Sequence, residues 1–285
     1  MLSYGYLLDL ALILLSTKLL GIITKKFKMP QVVGALLAGL IFGPAMLNIL
    51  KETNFIIQLS ELGVILLMFS AGLDTDLNEL KKTGKASFII ALFGVLIPLI
   101  GGFLVAYLFS DLDLMKEATT NVLLQNIFIG VILTATSVSI TVEALKEMGK
   151  LNTSAGTAIL GAAIIDDILG IIALTIISSM ADTSVNVGFV LLKIVAYFIF
   201  VIVIGITSHK AFDIWMKYEN RDRRRFITAA LVFCLLLSYV SEEIFGVADI
   251  TGAFIAGLIL SNVERKTYVA SILDILSYSL LSQVC

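Results

Sequence analysis

Residues 155–180 read AGTAILGAAIIDDILGIIALTIISSM, an apolar stretch of spanning length with two adjacent carboxylic acids, Asp166 and Asp167, near its middle. On insertion scales, each carboxylate at the centre of a membrane helix costs roughly 2.5 to 3.5 kcal/mol. A helix that retains two of them normally faces a partner or a water-filled cavity, so intramembrane acids indicate a functional site. The aspartate pair is therefore the first candidate site of this chain.

The rest of the chain is equally apolar. Of its 285 residues, 59% are hydrophobic and 15% are charged, and the mean hydropathy is +1.02, which is typical of a membrane protein. Apolar segments approaching the ~20 residues that cross a bilayer recur throughout, and a tenth opens near Ala270. They cover residues 4–24, 31–50, 55–73, 87–109, 123–145, 154–180, 187–207, 226–242 and 250–261. No linker separates them, so the sequence predicts one all-α, polytopic membrane domain over residues 1–285.

The basic residues alternate between successive turns. Because Lys and Arg are retained on the cytoplasmic side, this alternation predicts an N-terminus outside and a plasma-membrane location. The turns opposite the basic ones hold only Lys51 and Lys116. The basic turns carry Lys25, Lys26, Lys28, Lys81, Lys82, Lys85, Lys146, Lys150, Lys210, Lys217, Arg221, Arg223, Arg224, Arg225, Arg265 and Lys266. With a net charge of −2, these residues indicate contact with anionic lipid headgroups rather than with nucleic acid.

Hydroxyl groups form the second unusual stretch, TATSVSIT at residues 134–141. A short turn joins this segment to the aspartate segment, so we expect the two to be antiparallel neighbours. Counted from that turn, Thr136 and Asp167 are each roughly 15–22 Å into the membrane at the helical rise. The sequence therefore predicts a midplane cluster of carboxylate and hydroxyl oxygens.

Such a cluster suits a small hard cation, which prefers oxygen ligands, and it equally suits a proton. Adjacent helical residues point about 100° apart, so we expect Asp166 and Asp167 to divide roles. Burial and mutual repulsion make a proton and a cation compete for one carboxylate. Competition at one site is sufficient for exchange if the loaded site alone can cross the membrane.

Other chemistries fit less well. Cys234, Cys285 and the lone His209 give no metal-ligand spacing and no disulfide framework, so no cofactor is predicted. An intramembrane aspartyl protease also uses two buried acids, but on separate helices that face one another across a water. Adjacent positions on one helix do not allow that arrangement. The chain is therefore not expected to be an enzyme.

Five stretches together resemble the cation/proton antiporter superfamily, in the branch of bacterial sodium/proton antiporters and potassium efflux systems. The resemblance covers the whole chain. The stretches are GALLAGLIFGP (34–44), ELGVILLMFSAGLDTDL (61–77), TATSVSIT (134–141), AAIIDDILG (162–170) and DITGAFIAGLILS (249–261).

This resemblance implies an antiporter fold with inverted repeats, a discontinuous-helix crossover, and alternating access between a mobile core and a dimerisation domain of a homodimer. By position, Asp167 matches the acid that binds the transported monovalent cation and the proton, and Asp166 matches its companion. Thr136 and Ser137 match the crossover beside the site. The resemblance also implies about thirteen spans, of which about nine to ten are present, so we expect the chain to be incomplete at its C-terminus.

Three functions stay open at this point. Exchange of Na⁺ for H⁺ across the cytoplasmic membrane is the first. K⁺/H⁺ exchange or K⁺ efflux is the second, because ion selectivity depends on cavity size and ligand number, which the sequence does not give. The third is a non-transporting fragment or assembly partner, since no residue of the chain can be assigned to the second broken helix or to a basic partner of Asp166.

Overall fold

The computed structural model describes residues 5–109, 122–181, 186–218 and 223–261, and all regular structure in these ranges is helical. The helices are α1 (Gly5–Lys26), α2 (Gln31–Phe42), α3 (Asn54–Asp74), α4 (Leu77–Leu108), α5 (Val122–Ile132), α6 (Val138–Glu147), α7 (Ser154–Ala181), α8 (Val187–Tyr218), α9 (Arg223–Tyr239) and α10 (Asp249–Leu260). A π-helical segment, Val240–Phe245, continues α9.

Six of the described helices are long and apolar enough to cross a membrane, namely α1, α3, α4, α7, α8 and α9 with its π-helical segment. Helices α2, α5 and α10 are apolar but shorter. The prediction of an all-α, polytopic membrane protein is confirmed. The tenth predicted segment, near Ala270, lies outside the described residues.

Three predicted boundaries were wrong. The segment predicted at 187–207 continues as α8 to Tyr218. The segment predicted at 31–50 is helical only to Phe42, because the residue that precedes Pro44 is disfavoured in the helical conformation, and Gly43 is extended. The segment predicted to begin at residue 87 begins at Leu77, where the Asp76 carboxylate caps the helix by accepting a 2.7 Å hydrogen bond from the Asn78 amide. The basic residues Lys81, Lys82 and Lys85 therefore lie on the first turns of α4 rather than in a loop.

The segment predicted at 123–145 is interrupted. Helix α5 ends at Ile132 and α6 begins at Val138, so residues 133–137 are not helical. Side chains satisfy part of the interrupted backbone: the Ser137 hydroxyl accepts from the Ile140 amide at 3.4 Å, and the Thr134 hydroxyl donates to the Val131 carbonyl at 2.7 Å. We call residues 133–137 the helix break.

The helices pack in two groups. In the α4–α5–α7 group, α4 packs along both α7 and α5. In the α3–α9–α10 group, α10 packs along α3 and α9, and it contributes most of the buried apolar core together with α3. Helix α6 contacts α7 of the first group and α3 of the second, and also α2. The helix break therefore lies where the groups meet.

Two glycines allow the backbones of α3 and α10 to approach closely. A Cβ atom on Gly72 would overlap the Phe254 carbonyl oxygen, and one on Gly257 would overlap the Phe69 carbonyl oxygen. In lipid, no hydrophobic effect drives helices together. Close packing at small residues holds them together instead. The α3–α10 contact is thus a backbone-to-backbone fit, and neither helix can shift without losing it.

We expect Gly72→Ala to destabilise the protein, because the added methyl group has no space between α3 and α10. Overpacking of this kind costs about 1–3 kcal/mol. The midpoint of thermal unfolding in detergent, followed by the fluorescence of Trp215, measures the effect. Gly101→Ala is the matched control, since no described atom lies within 4 Å of a Cβ at that position. Equal midpoints for the two variants would contradict the packing argument.

Candidate functional site

Helix α7 carries both aspartates within a candidate membrane span, Ser154–Met180. Their environments differ because adjacent residues point about 100° apart. Asp166 is 8% exposed, whereas Asp167 is half-buried. The two carboxylates therefore differ in burial, and the division of roles between them stays a prediction.

Asp166 lies between the helix break and α4. The Thr136 hydroxyl donates a 2.8 Å hydrogen bond to Asp166 Oδ2. The other oxygen, Oδ1, has no hydrogen-bond partner in the part of the chain that the structure describes. It faces α4 at Gly94, where an added Cβ atom would lie 3.6 Å away. A buried carboxylate with one satisfied and one unsatisfied oxygen retains capacity for a proton or a cation.

Asp167 faces a different helix. Its carboxylate lies beside the Thr251 hydroxyl of α10, so the two aspartates contact opposite helix groups. Thr251 is 1% exposed, and its hydroxyl makes no hydrogen bond of normal length and angle within the described ranges. The two hydroxyls that approach the aspartates thus come from the helix break and from α10.

A cavity of about 350 Å³ lies between the helix break and α7. It is lined by residues between 131 and 136 on one side and by α7 residues from Asp166 to Leu174 on the other. The cavity contains Thr136 and both aspartates, so three of the four predicted site residues lie together. Carboxylate and hydroxyl side chains are thus grouped around this cavity, and its depth in the membrane stays a prediction.

Ser137 is placed elsewhere. Its hydroxyl caps α6 and lies 3.2 Å from the Ser139 hydroxyl. It lines a second cavity, of about 120 Å³, between α2, α3 and α6, together with Ser139 and Glu143. The structure therefore does not bring Ser137 to the aspartates, although it is adjacent to Thr136 in sequence.

The carbonyls at the end of α5 are bonded by the helix break itself. Those of Val131 and Ile132 accept hydrogen bonds of 3.0 and 3.3 Å from the Thr134 and Ala135 amides. Carboxylate, hydroxyl and carbonyl oxygens are the ligands that hard cations prefer. No group of three or more His, Cys, Asp or Glu side chains that could hold a metal ion occurs among the residues described.

The far end of α6 is fastened to the neighbouring helices. The Glu147 carboxylate accepts a 2.5 Å hydrogen bond from the Gln31 amide at the start of α2, where a negative charge is favoured by the helix dipole. The Lys146 ammonium group donates to the Ser70 hydroxyl of α3 at 3.2 Å. These contacts attach the end of α6 to α2 and α3.

A sequence profile described as sodium/hydrogen exchanger, transmembrane, matches residues 11–284. The chain belongs to this family. It is 40% identical over 279 residues to the probable Na⁺/H⁺ antiporter GerT of Bacillus cereus, an alignment that covers 97% of this chain and 71% of that protein. It is 38% identical over 283 residues to the Na⁺/H⁺-K⁺ antiporter GerN of the same organism, covering 99% of this chain and 70% of GerN.

A third relative is a Na⁺/H⁺ antiporter of Enterococcus hirae, 35% identical over 279 residues, which cover 96% of this chain and 70% of that protein. The predicted membership of the cation/proton antiporter superfamily is confirmed. The sodium/hydrogen exchanger family consists of transporters, in line with the expectation that the chain is not an enzyme.

Sequence reasoning missed two residues that lie beside the aspartates, Thr251 and Gly94. Thr251 falls inside the stretch DITGAFIAGLILS that carries part of the resemblance, but nothing local distinguishes it from other hydroxyls of membrane helices. Gly94 offers no chemistry of its own and acts by leaving space beside Asp166. Only the packing of α4 against α7 indicates Gly94, and only the approach of α10 to Asp167 indicates Thr251.

We expect Thr136→Val to lower the thermal unfolding midpoint, because Asp166 Oδ2 would lose its hydrogen bond while buried. Leaving such a group unsatisfied costs about 1–3 kcal/mol. Thr136→Ser restores the donor and should restore the midpoint. In the control Thr175→Val, the lost hydroxyl bonds only to the Ile171 carbonyl of the same helix, so little change is expected. If Thr136→Val and Thr136→Ser unfold at the same temperature, the hydrogen bond contributes no stability.

Proposed function

We propose that the chain exchanges a monovalent cation for protons across the cytoplasmic membrane, with both competing for the carboxylate of Asp167. The observation that carries this proposal is the hydrogen bond from Thr136, at the helix break, to Asp166 inside the cavity that also contains Asp167. A broken helix beside intramembrane carboxylates is a common device for holding a transported ion. Membership of the exchanger family supports the same reaction class.

In this proposal the two aspartates have different tasks. Asp166 is held by Thr136 and keeps the carboxylate pair in place, whereas Asp167 is the more exposed of the two and binds the ion or the proton. Releasing a proton from Asp167 creates the charge that attracts the cation, and binding the cation displaces the proton. Exchange follows if the empty, charged site cannot cross the membrane, because burying an unpaired carboxylate is costly.

Alternating access is the proposed way of moving the site between the two sides. The α4–α5–α7 group carries the aspartates, and the α3–α9–α10 group forms the wall that faces Asp167. Displacement of one group against the other would open the site to one side and then to the other. The homodimer expected from the resemblance is likewise a proposal.

Na⁺ is the first candidate ion and K⁺ the second. Na⁺ is favoured because the relatives GerT and the Enterococcus hirae protein are named Na⁺/H⁺ antiporters. K⁺ is kept because GerN, of nearly equal similarity, is named a Na⁺/H⁺-K⁺ antiporter. The oxygen ligands of the site suit both ions, and the number of ligands around Asp167 decides between them.

Asp167→Asn should abolish cation-dependent proton movement, because an amide cannot exchange a proton for a cation. The measurement uses proteoliposomes with an imposed pH gradient and a pH-sensitive dye, to which NaCl, KCl or choline chloride is added. We expect NaCl to dissipate the gradient in the original protein, and the variant to match its own choline background.

The matched control is Asp9→Asn, the same change in α1, which packs mainly on α2. This variant should retain exchange. Retained exchange in Asp167→Asn would refute the assigned site. The absence of NaCl- and KCl-dependent flux from well-inserted original protein would refute the proposed activity and favour a non-transporting role.

The proposed orientation, with the N-terminus outside, predicts which loops a membrane-impermeant thiol reagent reaches. In a background lacking Cys234 and Cys285, Lys51→Cys should be labelled in intact cells because its turn faces outward. Lys28→Cys should be labelled only after the membrane is opened. The reverse labelling pattern would show that the N-terminus lies inside and would contradict the proposed orientation.

A further inference from the structure

Thr251, near the start of α10, is a buried hydroxyl with unused bonding capacity. It is 1% exposed, and its Oγ1 atom has no hydrogen-bond partner in residues 5–109, 122–181, 186–218 and 223–261. Most threonines in membrane helices avoid this state by bonding to a carbonyl one turn back, as Thr207 does with Val203 at 2.8 Å. An unsatisfied buried hydroxyl is unfavourable, and each such group calls for an explanation.

The surroundings hold Thr251 in this position. The next residue, Gly252, packs so closely on α9 and its π-helical segment that an added Cβ atom would overlap the Leu237 carbonyl oxygen and the Ser241 hydroxyl. Before it, the Asp249 amide donates to the Glu242 carboxylate at 3.1 Å, which ties the start of α10 to the π-helical segment. Farther along, Gly257 fits against the α3 backbone. Thr251 is therefore carried on a rigidly packed helix, and its hydroxyl cannot easily turn to another partner.

The neighbour of Thr251 is Asp167, which belongs to the other helix group. On its own side, Asp167 lines the cavity described above together with Thr136, whose hydroxyl is bonded to Asp166. Thr251 is the hydroxyl that approaches the carboxylate from the α3–α9–α10 side. The ligands available around Asp167 thus come from both groups only while the groups are in this relative position.

We propose that Thr251 supplies an oxygen ligand to the monovalent cation bound at Asp167, from across the boundary between the two helix groups. This inference rests on the proposed exchange at Asp167. When a proton occupies Asp167, the hydroxyl can hydrogen-bond to the carboxyl group. When a cation occupies it, the Thr251 lone pairs face the ion and the hydroxyl hydrogen turns away. Thr251 then helps to set the affinity of the site for the cation, since moving the two helix groups apart removes this ligand.

Thr251→Val tests the proposal because valine has nearly the same shape and lacks the hydroxyl. In the proteoliposome assay with NaCl, we expect KM for Na⁺ to rise about tenfold, the effect of losing one favourable polar contact of about 1.4 kcal/mol. The maximal rate should change much less. Thr251→Ser keeps the oxygen and should keep KM within about twofold of the original value. Thr207→Val is the control for removing a hydroxyl from another helix.

Thermal unfolding in detergent gives a second readout that does not depend on transport. Without Na⁺, Thr251→Val should unfold at the same or a higher temperature, because the variant removes an unsatisfied buried hydroxyl. Addition of NaCl in place of choline chloride should raise the midpoint of the original protein by ligand binding, and it should do so less in the variant at equal concentration. A purely structural role would shift the choline midpoint and leave the NaCl-dependent increase unchanged.

The outcomes separate this inference from the proposed function. If Asp167→Asn abolishes exchange while Thr251→Val keeps the original KM and the original NaCl-dependent increase, Thr251 is not a ligand and the exchange proposal stands. If Asp167→Asn exchanges normally, both proposals fail. If Thr251→Val does not fold, a raised KM in Thr251→Ala with a normal KM in Thr251→Ser supports the ligand role, and equal KM values in both overturn it.

Discussion

The structure depends on keeping two carboxylates inside an apolar span. A charged or unsatisfied carboxylate is expensive there, so each oxygen that gains a partner contributes directly to the stability of the folded helices. Thr136 satisfies one oxygen of Asp166, and it can do so only because the chain is not helical between α5 and α6. The carboxylate and the helix break therefore depend on each other. Without the break Thr136 would be fixed on a continuous helix, and without Asp166 the break would lose a stabilising contact.

Much of this arrangement could be predicted from the sequence. The antiparallel neighbours 123–145 and 154–180 follow from apolar length and a short turn, and counting residues from that turn places Thr136 and the aspartates at similar depth. Counting does not give rotation about the helix axis, so it could not decide which aspartate Thr136 would contact. The helix break was also not predictable from residues 133–137, which contain neither Gly nor Pro. Its contacts are a local cap of α6 by Ser137 and the long-range hydrogen bond from Thr136 to Asp166, which sequence alone does not give.

The two helix groups differ in how they are joined. Helices α3 and α10 meet backbone to backbone through Gly72 and Gly257, a contact that tolerates no displacement. Helix α7 meets this group in two ways: Leu160 belongs to the same buried apolar core, and the Asp167 carboxylate lies beside the Thr251 hydroxyl. A polar side-chain contact of the second kind can be replaced by water or an ion at low cost. In the proposed exchange, the contact at Asp167 is therefore the one most readily broken.

Helix α6 constrains any such motion. Its end is fastened to α2 by Glu147 and to α3 by Lys146, while its beginning follows directly after Thr136, which holds Asp166 of α7. If α7 is displaced, the flexible element that can absorb the movement is the non-helical segment 133–137 rather than α6 itself. The helix break would then serve two purposes in the proposed exchange. It presents oxygens to the site, and it allows the aspartates to move while α6 stays attached to α2 and α3.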